Sequence, residues 1–316
     1  MKTEVYTLRE GREDVTLTTY VLQDSPDLLA GKARPAILIC PGGGYFNCSD
    51  REAEPVALRF AGLGYHTFVL RYSTYLHGVS GFPDLREMPV PRPEDLHPAP
   101  MEDIRLSMRL ISEKADEWLV DRDRIAVCGF SAGGHNAAMY ATRWHELEGA
   151  PRPAAAILGY PLTDYVWKFA YEAKQDGFVT GFFHASDTIF LGTSEPSPEL
   201  LEDVSPARHV TDKTPPCFIW ATSTDELVPV QHALLMAQAL SAVHIPYELH
   251  IFEQGQHGLS LADQASAASL SQCSADVAAW AGLAGTWLHK RFALPLPEKT
   301  DWELMMEPSS RSTVTD

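Results

Sequence analysis

Ile125-Ala126-Val127-Cys128-Gly129-Phe130-Ser131-Ala132-Gly133-Gly134-His135 passes from an unbroken apolar run, through a serine between two glycines, into a segment of helical periodicity. Four apolar residues ending at a glycine read as a strand covered on both faces. From Gly134 to Trp144 the apolar residues recur three and four apart, the spacing of one helix face. The pentapeptide Gly129 to Gly133 therefore has the form Gly-x-Ser-x-Gly between a strand and a helix, the setting that exposes a reactive serine. A hydroxyl is a weak nucleophile until it is exposed, held still and relieved of its proton. The tight turn exposes Ser131, and the flanking glycines relieve crowding where strand and helix meet. The helix N-terminus aims free N–H groups at any negative charge that develops there. The bland alternative is a glycine-rich turn with an incidental serine.

Working outward, the same kind of apolar run recurs at Pro35 to Cys40, Thr67 to Leu70, Ala155 to Leu158 and Cys217 to Trp220, with a more alternating one at Tyr247 to Phe252. Helical periodicity fills Arg51 to Leu63, Met101 to Ala115 and Val230 to Ala242. Strand and helix in repeated alternation predict an α/β fold, a mostly parallel central sheet with helices on both faces. Val5 to Leu8 and Val15 to Leu22, divided by Gly11, predict antiparallel strands at the N-terminus. At roughly 150 residues per domain, 316 residues suggest about two, but one large α/β unit reaches this length. We expect a single α/β domain over 1–316. Residues 77–100, with six prolines, are expected as a long ordered loop. Residues 160–214 exceed what a crossover needs, and are expected as a small lid or a packed surface excursion; their aromatic residues would form a platform for sugar rings or ordinary packing. Residues 295–316 are expected as a peripheral tail.

A serine turn of this type predicts an acid and then a histidine later in the chain. Asp225 follows the run Cys217 to Trp220, and His257, in Gly255-Gln256-His257-Gly258, follows Tyr247 to Phe252. Both loops leave the strand ends at the sheet edge where Ser131 must lie. His257 is the expected general base, and Asp225 the group that orients its ring. Asp164 and Glu226 compete for the acid's place, and His135 and His250, whose positions suit packing or surface roles, for the base's. The oxyanion of an acyl-transfer intermediate needs two or more N–H donors. Ala132 supplies one by position; the other is expected from Gly43 or Gly44, with Tyr45 as a further candidate. A phosphate-cradling loop would need a lysine after its glycines, and none follows Gly44.

Composition narrows the partners. A net charge of −17 disfavours nucleic acid and anionic membrane surfaces. No run of about 18 apolar residues is present, which argues against a membrane-spanning helix. The start, Met1 to Val5, lacks the apolar core of a secretory signal, so a cytoplasmic location is expected. Five cysteines without CxxC spacing read as reduced thiols and not as a disulfide or zinc framework. Oligomeric state is left open, a homo-oligomer included.

Pro41-Gly42-Gly43-Gly44-Tyr45, Gly64-Tyr65, Arg71-Tyr72-Ser73, Pro98 to Asp103, Gly129 to His135, Leu201 to Val210, Thr224 to Pro229 and Gly255 to Gly258 stand in an order that resembles the α/β-hydrolase superfamily. Within it, the chain is similar to acetyl esterases and acetylxylan-esterase-like carbohydrate esterases, near the dienelactone hydrolases and prolyl-oligopeptidase-type domains. The resemblance covers about residues 30 to 290. It implies Ser131 as nucleophile, Asp225 as acid, His257 as base, and Gly43 or Gly44 with Ala132 as oxyanion donors. Lipase-type members carry a histidine before the glycine run where this chain has Pro41, which sets it apart from the hormone-sensitive-lipase-like branch. The expected activity is serine-dependent hydrolysis of short, acetyl-type esters of a carbohydrate or other small alcohol, needing no cofactor or metal. The rivals are a peptidase or amidase on the same scaffold and a silent binding protein.

Overall fold

Apolar runs without polar interruption need cover on both faces, and in this chain each becomes a strand inside one sheet. A computed structural model describes residues 1–84, 86–172 and 177–306. Among these the strands are Val5–Arg9 (β1), Arg12–Tyr20 (β2), Arg34–Cys40 (β3), His66–Arg71 (β4), Val120–Phe130 (β5), Ala155–Gly159 (β6), Cys217–Thr222 (β7) and Tyr247–Phe252 (β8). They form one sheet in the order β1-β2-β4-β3-β5-β6-β7-β8. β1 and β2 are antiparallel and β2 runs antiparallel to β4, while every pair from β4 to β8 is parallel. The expected fold class and antiparallel entry are as found.

The helices are Glu54–Ala61 (α1), Ala99–Glu113 (α2), Ala115–Trp118 (α3), Ser131–Arg143 (α4), Tyr165–Glu172 (α5), Phe178–Leu191 (α6), Pro198–Asp203 (α7), Gln231–Ala242 (α8), Ala275–His289 (α9) and Asp301–Met306 (α10). Side chains alternate across a strand, and β3 shows the consequence. Leu38 and Cys40 join one core layer with Ile104 of α2, Ala138 of α4 and Met236 of α8. Ile37 and Ile39 join the other, with Phe60 of α1 and Trp280 and Trp287 of α9. The helix α9 carries no periodicity that the sequence reading caught, because alanines at 278, 279, 281 and 284 blur its apolar face. β5 starts earlier than its apolar run: Val120 pairs with Arg34 across a register shift, carrying the charged Asp121–Arg124 stretch into the strand.

Residues 160–214 contain α5, α6 and α7. Lys168 of α5 and Asp187 of α6 form a buried ion pair at 2.6 Å, with the Lys168 ammonium 4.4 Å from the centre of the Phe183 ring. Of the tail expected over 295–316, the described part carries α10, exposed from Trp302 to Met306, and 307–316 lies outside the described residues. Four of the five thiols are buried and all five are free. No helix among the described residues is long and apolar enough to cross a membrane.

Parallel register carries this architecture to the site. Cys40 pairs with Gly129, Phe130 with Gly159, Gly159 with Trp220, and Thr222 with Phe252. The C-terminal ends of β3, β5, β6, β7 and β8 are thus level, and the loops that follow all emerge at one edge. In open parallel sheets that edge is where ligands bind.

Candidate active site

Ser131 begins α4 directly after β5, with φ 52° in the left-handed region that L-residues avoid. The turn is possible because Gly129 and Gly133, two residues away on either side, have no side chains. A Cβ on Gly129 would lie 2.1 Å from the Gly133 carbonyl oxygen, and one on Gly133 would lie 2.1 Å from that of Cys40. Both flanking glycines are therefore fixed by backbone contact.

Two loops bring partners to this hydroxyl. His257 Nε2 stands 2.8 Å from Ser131 Oγ, and His257 Nδ1 stands 2.7 Å from Asp225 Oδ2. Asp225, 6% exposed, accepts two further bonds at Oδ1, from the Leu227 and Val228 amides, each 2.9 Å. These hold the carboxylate so that Oδ2 faces the ring. The imidazole then carries its proton on Nδ1 and leaves Nε2 to accept from the serine. Burial pushes the His257 ring down, but the charge and hydrogen bond of Asp225, with the further charge of Glu52, outweigh it, and its pKa stands above the ordinary value.

Three of the four competing residues are engaged elsewhere. Asp164 accepts from Arg208 at 3.0 Å and from the Trp167 amide at 2.7 Å. His250 meets Glu248 at 3.0 Å. His135 is buried, donates from Nε2 to the Val204 carbonyl at 2.8 Å and faces the Tyr45 hydroxyl with Nδ1; burial drives its pKa down to about 3. Glu226 is exposed beside Asp225.

The glycine loop after β3 curls through positive φ at Gly43 (139°), Gly44 (60°) and Tyr45 (61°). It lies against the serine: a Cβ on Gly42 would be 2.9 Å from Ser131 Cβ. The Gly42 amide donates to Glu52 at 2.7 Å, while the Gly43 and Gly44 amides have no acceptor among the described residues. The Ala132 amide lies in the first turn of α4, where helical N–H groups lack internal acceptors. The expected donors thus flank Ser131 from two sides.

Beside Ser131 is a cavity of about 20 Å³, lined among others by Tyr45, Leu162, Tyr165, Phe182 and Phe183. Phe182 and Phe183 come from α6, and Ser186 of the same helix donates to the Gly44 carbonyl at 2.8 Å. His257 itself lines an open groove of about 650 Å³, together with Thr224, Glu226, Gln254 and Gln256.

Two residues at this edge escaped sequence reasoning. Glu52, 3% exposed, sits in a 3-10 turn (Asp50–Glu52) inside a stretch read as helix, and Tyr160 follows β6 with φ 35°. Glu52 accepts from the Tyr160 hydroxyl, and the Tyr160 ring packs edge-on to His257 at 5.0 Å between centres. Their spacing of 108 residues leaves no local signal.

Comparison with known proteins bears on the family of this chain. The family model described as BD-FAE matches residues 91–240, a span that holds Ser131 and Asp225. The chain is 33% identical over 239 residues to endo-1,4-beta-xylanase B of Butyrivibrio fibrisolvens, across 73% of this chain but only 33% of that protein, so it spans about a third of that relative's length. An α/β-hydrolase enzyme from a Medee basin deep-sea metagenome library aligns with a TM-score of 0.70 at 33% identity, over 93% of this chain and 99% of its own. An acetyl ester-xyloside bifunctional hydrolase from Caldicellulosiruptor lactoaceticus does so with a TM-score of 0.70 at 30% identity, over 91% and 96%. With likeness at 30% identity or more over nearly whole chains, this chain belongs to the α/β-hydrolase superfamily.

Proposed function

We propose that this chain is a serine esterase that removes short acyl groups, acetyl above all, from a carbohydrate or similar polyol, through an acyl-enzyme on Ser131. The hydrogen-bonded line from Asp225 through His257 to Ser131, at 2.7 and 2.8 Å, carries this reading. Ser131 Oγ attacks the ester carbonyl while His257 Nε2 takes its proton. The carbonyl oxygen, now negative, is met by the Ala132 amide and by Gly43 or Gly44. The imidazolium returns the proton to the departing alcohol, and Asp225 stabilises the charged ring meanwhile. Water, deprotonated by His257, then releases the acid and frees Ser131.

The cavity beside Ser131 and the groove beside His257 suit different halves of an ester. A space of about 20 Å³ is little more than one water or methyl group occupies. We assign it to the acyl group, with α6 acting as a lid over it. The open groove, with its amides, hydroxyl and carboxylate, suits an alcohol rich in hydroxyls. Rates with p-nitrophenyl esters should therefore fall from acetate to octanoate, by about tenfold or more for chains the cavity cannot take, as overpacking costs about 1–3 kcal/mol. A rate that climbs with chain length would contradict the assignment. The test of the whole reading is a panel of acetylated xylo-oligosaccharides, feruloyl esters and aminoacyl amides. Acetate release from the first is expected; amide cleavage outpacing it would favour a peptidase.

The raised pKa of His257 fixes a pH dependence. The base must be neutral, so activity is lost as pH falls through the pKa of the ring. Because neighbouring carboxylates favour the charged form, the acid limb of kcat/KM should have its midpoint above about 6.5, the unperturbed value. A midpoint clearly below it would show that burial dominates.

A further inference from the structure

Glu52 is a carboxylate buried without a cation. Its hydrogen-bond partners are one amide and one phenol, and no ion pair reaches it among the described residues. Removing a carboxylate from water is costly, and such groups are retained where their position or charge serves the site. What Glu52 holds is informative. Its Oε2 takes the Gly42 amide at 2.7 Å, and the other end of the same peptide, the Pro41 carbonyl, takes the Tyr72 hydroxyl at 2.7 Å. The peptide preceding the expected oxyanion donors is thus pinned at both ends. Its Oε1 takes the Tyr160 hydroxyl, which in turn accepts from the Ser260 amide at 2.9 Å, three residues past His257.

The adjoining residue closes the frame from the other side. Arg51 donates to the Gly258 carbonyl at 2.9 Å and to that of Ser266 at 2.7 Å, and the Ser260 hydroxyl donates to the Arg51 carbonyl at 2.6 Å. Tyr160 and Ser260, joined through this network, both hold positive φ (35° and 54°) without being glycine. Backbone conformations of that kind persist where the surroundings over-determine them, and they cluster at functional sites.

Resting on the hydrolytic reading of Ser131, we propose that Glu52 is a positioning residue for the reaction: through Gly42 on one side and Tyr160 and Ser260 on the other, it locks the oxyanion loop and the His257 loop into one frame. The charged and titratable groups around His257 are Asp225 and Glu226 from the loop after β7, Arg51 and Glu52 from the 3-10 turn, and Tyr160 after β6. Of these Asp225 and then Glu52 raise the ring's pKa. Loss of the Glu52 charge should therefore be visible at His257 as well as in the rate.

The test compares Glu52→Gln, Tyr160→Phe and Ser131→Ala with the unaltered protein, reading kcat and KM for p-nitrophenyl acetate across pH. Glutamine can still accept from Gly42 while its amide donates to the Tyr160 oxygen, so it removes charge with little change of shape. Glu52→Gln is expected to lower kcat about ten- to a hundredfold with little change in KM, and to move the acid limb down by roughly half a unit to one unit. Tyr160→Phe cuts the line to Ser260 but leaves the charge, so kcat should fall while the acid limb stays in place. A folded Glu52→Gln protein with an unmoved acid limb and unreduced kcat would overturn the proposal. If that variant does not fold, Tyr160→Phe decides: an unreduced kcat overturns the proposal, and a reduced kcat with a fixed acid limb supports it. An active Ser131→Ala protein would sink the hydrolytic reading itself, a failure distinct from that of Glu52.

Discussion

Replacing Ser131 with alanine is expected to lower kcat for p-nitrophenyl acetate by about 10⁴-fold or more, because among the described residues the hydroxyl bonded to the general base His257 is that of Ser131. Stability should hardly change. Alanine at φ 52° is no more strained than serine there, and the hydroxyl lost makes its bond to His257, which stays tied to Asp225. The expected shift is within about 1 kcal/mol. Measuring the thermal midpoint beside the rate separates the two effects. Hydrolysis at the original rate by the folded variant would remove Ser131 from the mechanism.

Asp225→Asn should be nearly as severe, about 10⁴-fold in kcat, for a reason that lies in hydrogen-bond direction. Asp225 Oδ1 accepts from two amides and Oδ2 accepts from His257 Nδ1. An asparagine that keeps its oxygen toward Leu227 and Val228 turns its NH₂ toward Nδ1, which must then be an acceptor. The ring proton moves to Nε2, the atom that has to receive the serine's proton. Flipping the amide instead sets two N–H donors against the NH₂ group. Either way the imidazole is wrongly arranged with its position almost unchanged. Activity that recovers at high pH, or a loss below tenfold, would show that Asp225 does not govern the tautomer.

The fold was legible because its physical cause is local. Each of the runs at 35–40, 67–70, 125–128, 155–158 and 217–220 is apolar on both faces, and only a sheet covered on both sides can bury such a run. The elbow was legible for the same reason, since Gly129 and Gly133 have no space for a Cβ. What brings Asp225 and His257 beside Ser131 is the level register of β5, β7 and β8, which an alternating sequence implies without stating. Three features lay beyond that reach. The helix α9 hides its buried face among alanines that suit either side. Which glycine amide is free depends on Glu52 capturing that of Gly42, a contact made by folding alone. The side chains of α6 that narrow the space beside Ser131 come from a segment whose aromatic content fits a lid or simple packing equally well.

Covalent labelling tests the central claim most directly. Diisopropyl fluorophosphate loses fluoride as an activated serine oxygen bonds to its phosphorus, leaving a stable adduct that peptide mass spectrometry locates. The account predicts one adduct per chain, on Ser131, formed in step with loss of esterase activity and absent when His257 is replaced by alanine. An adduct on a different residue, or full inactivation with Ser131 unmodified, would contradict it.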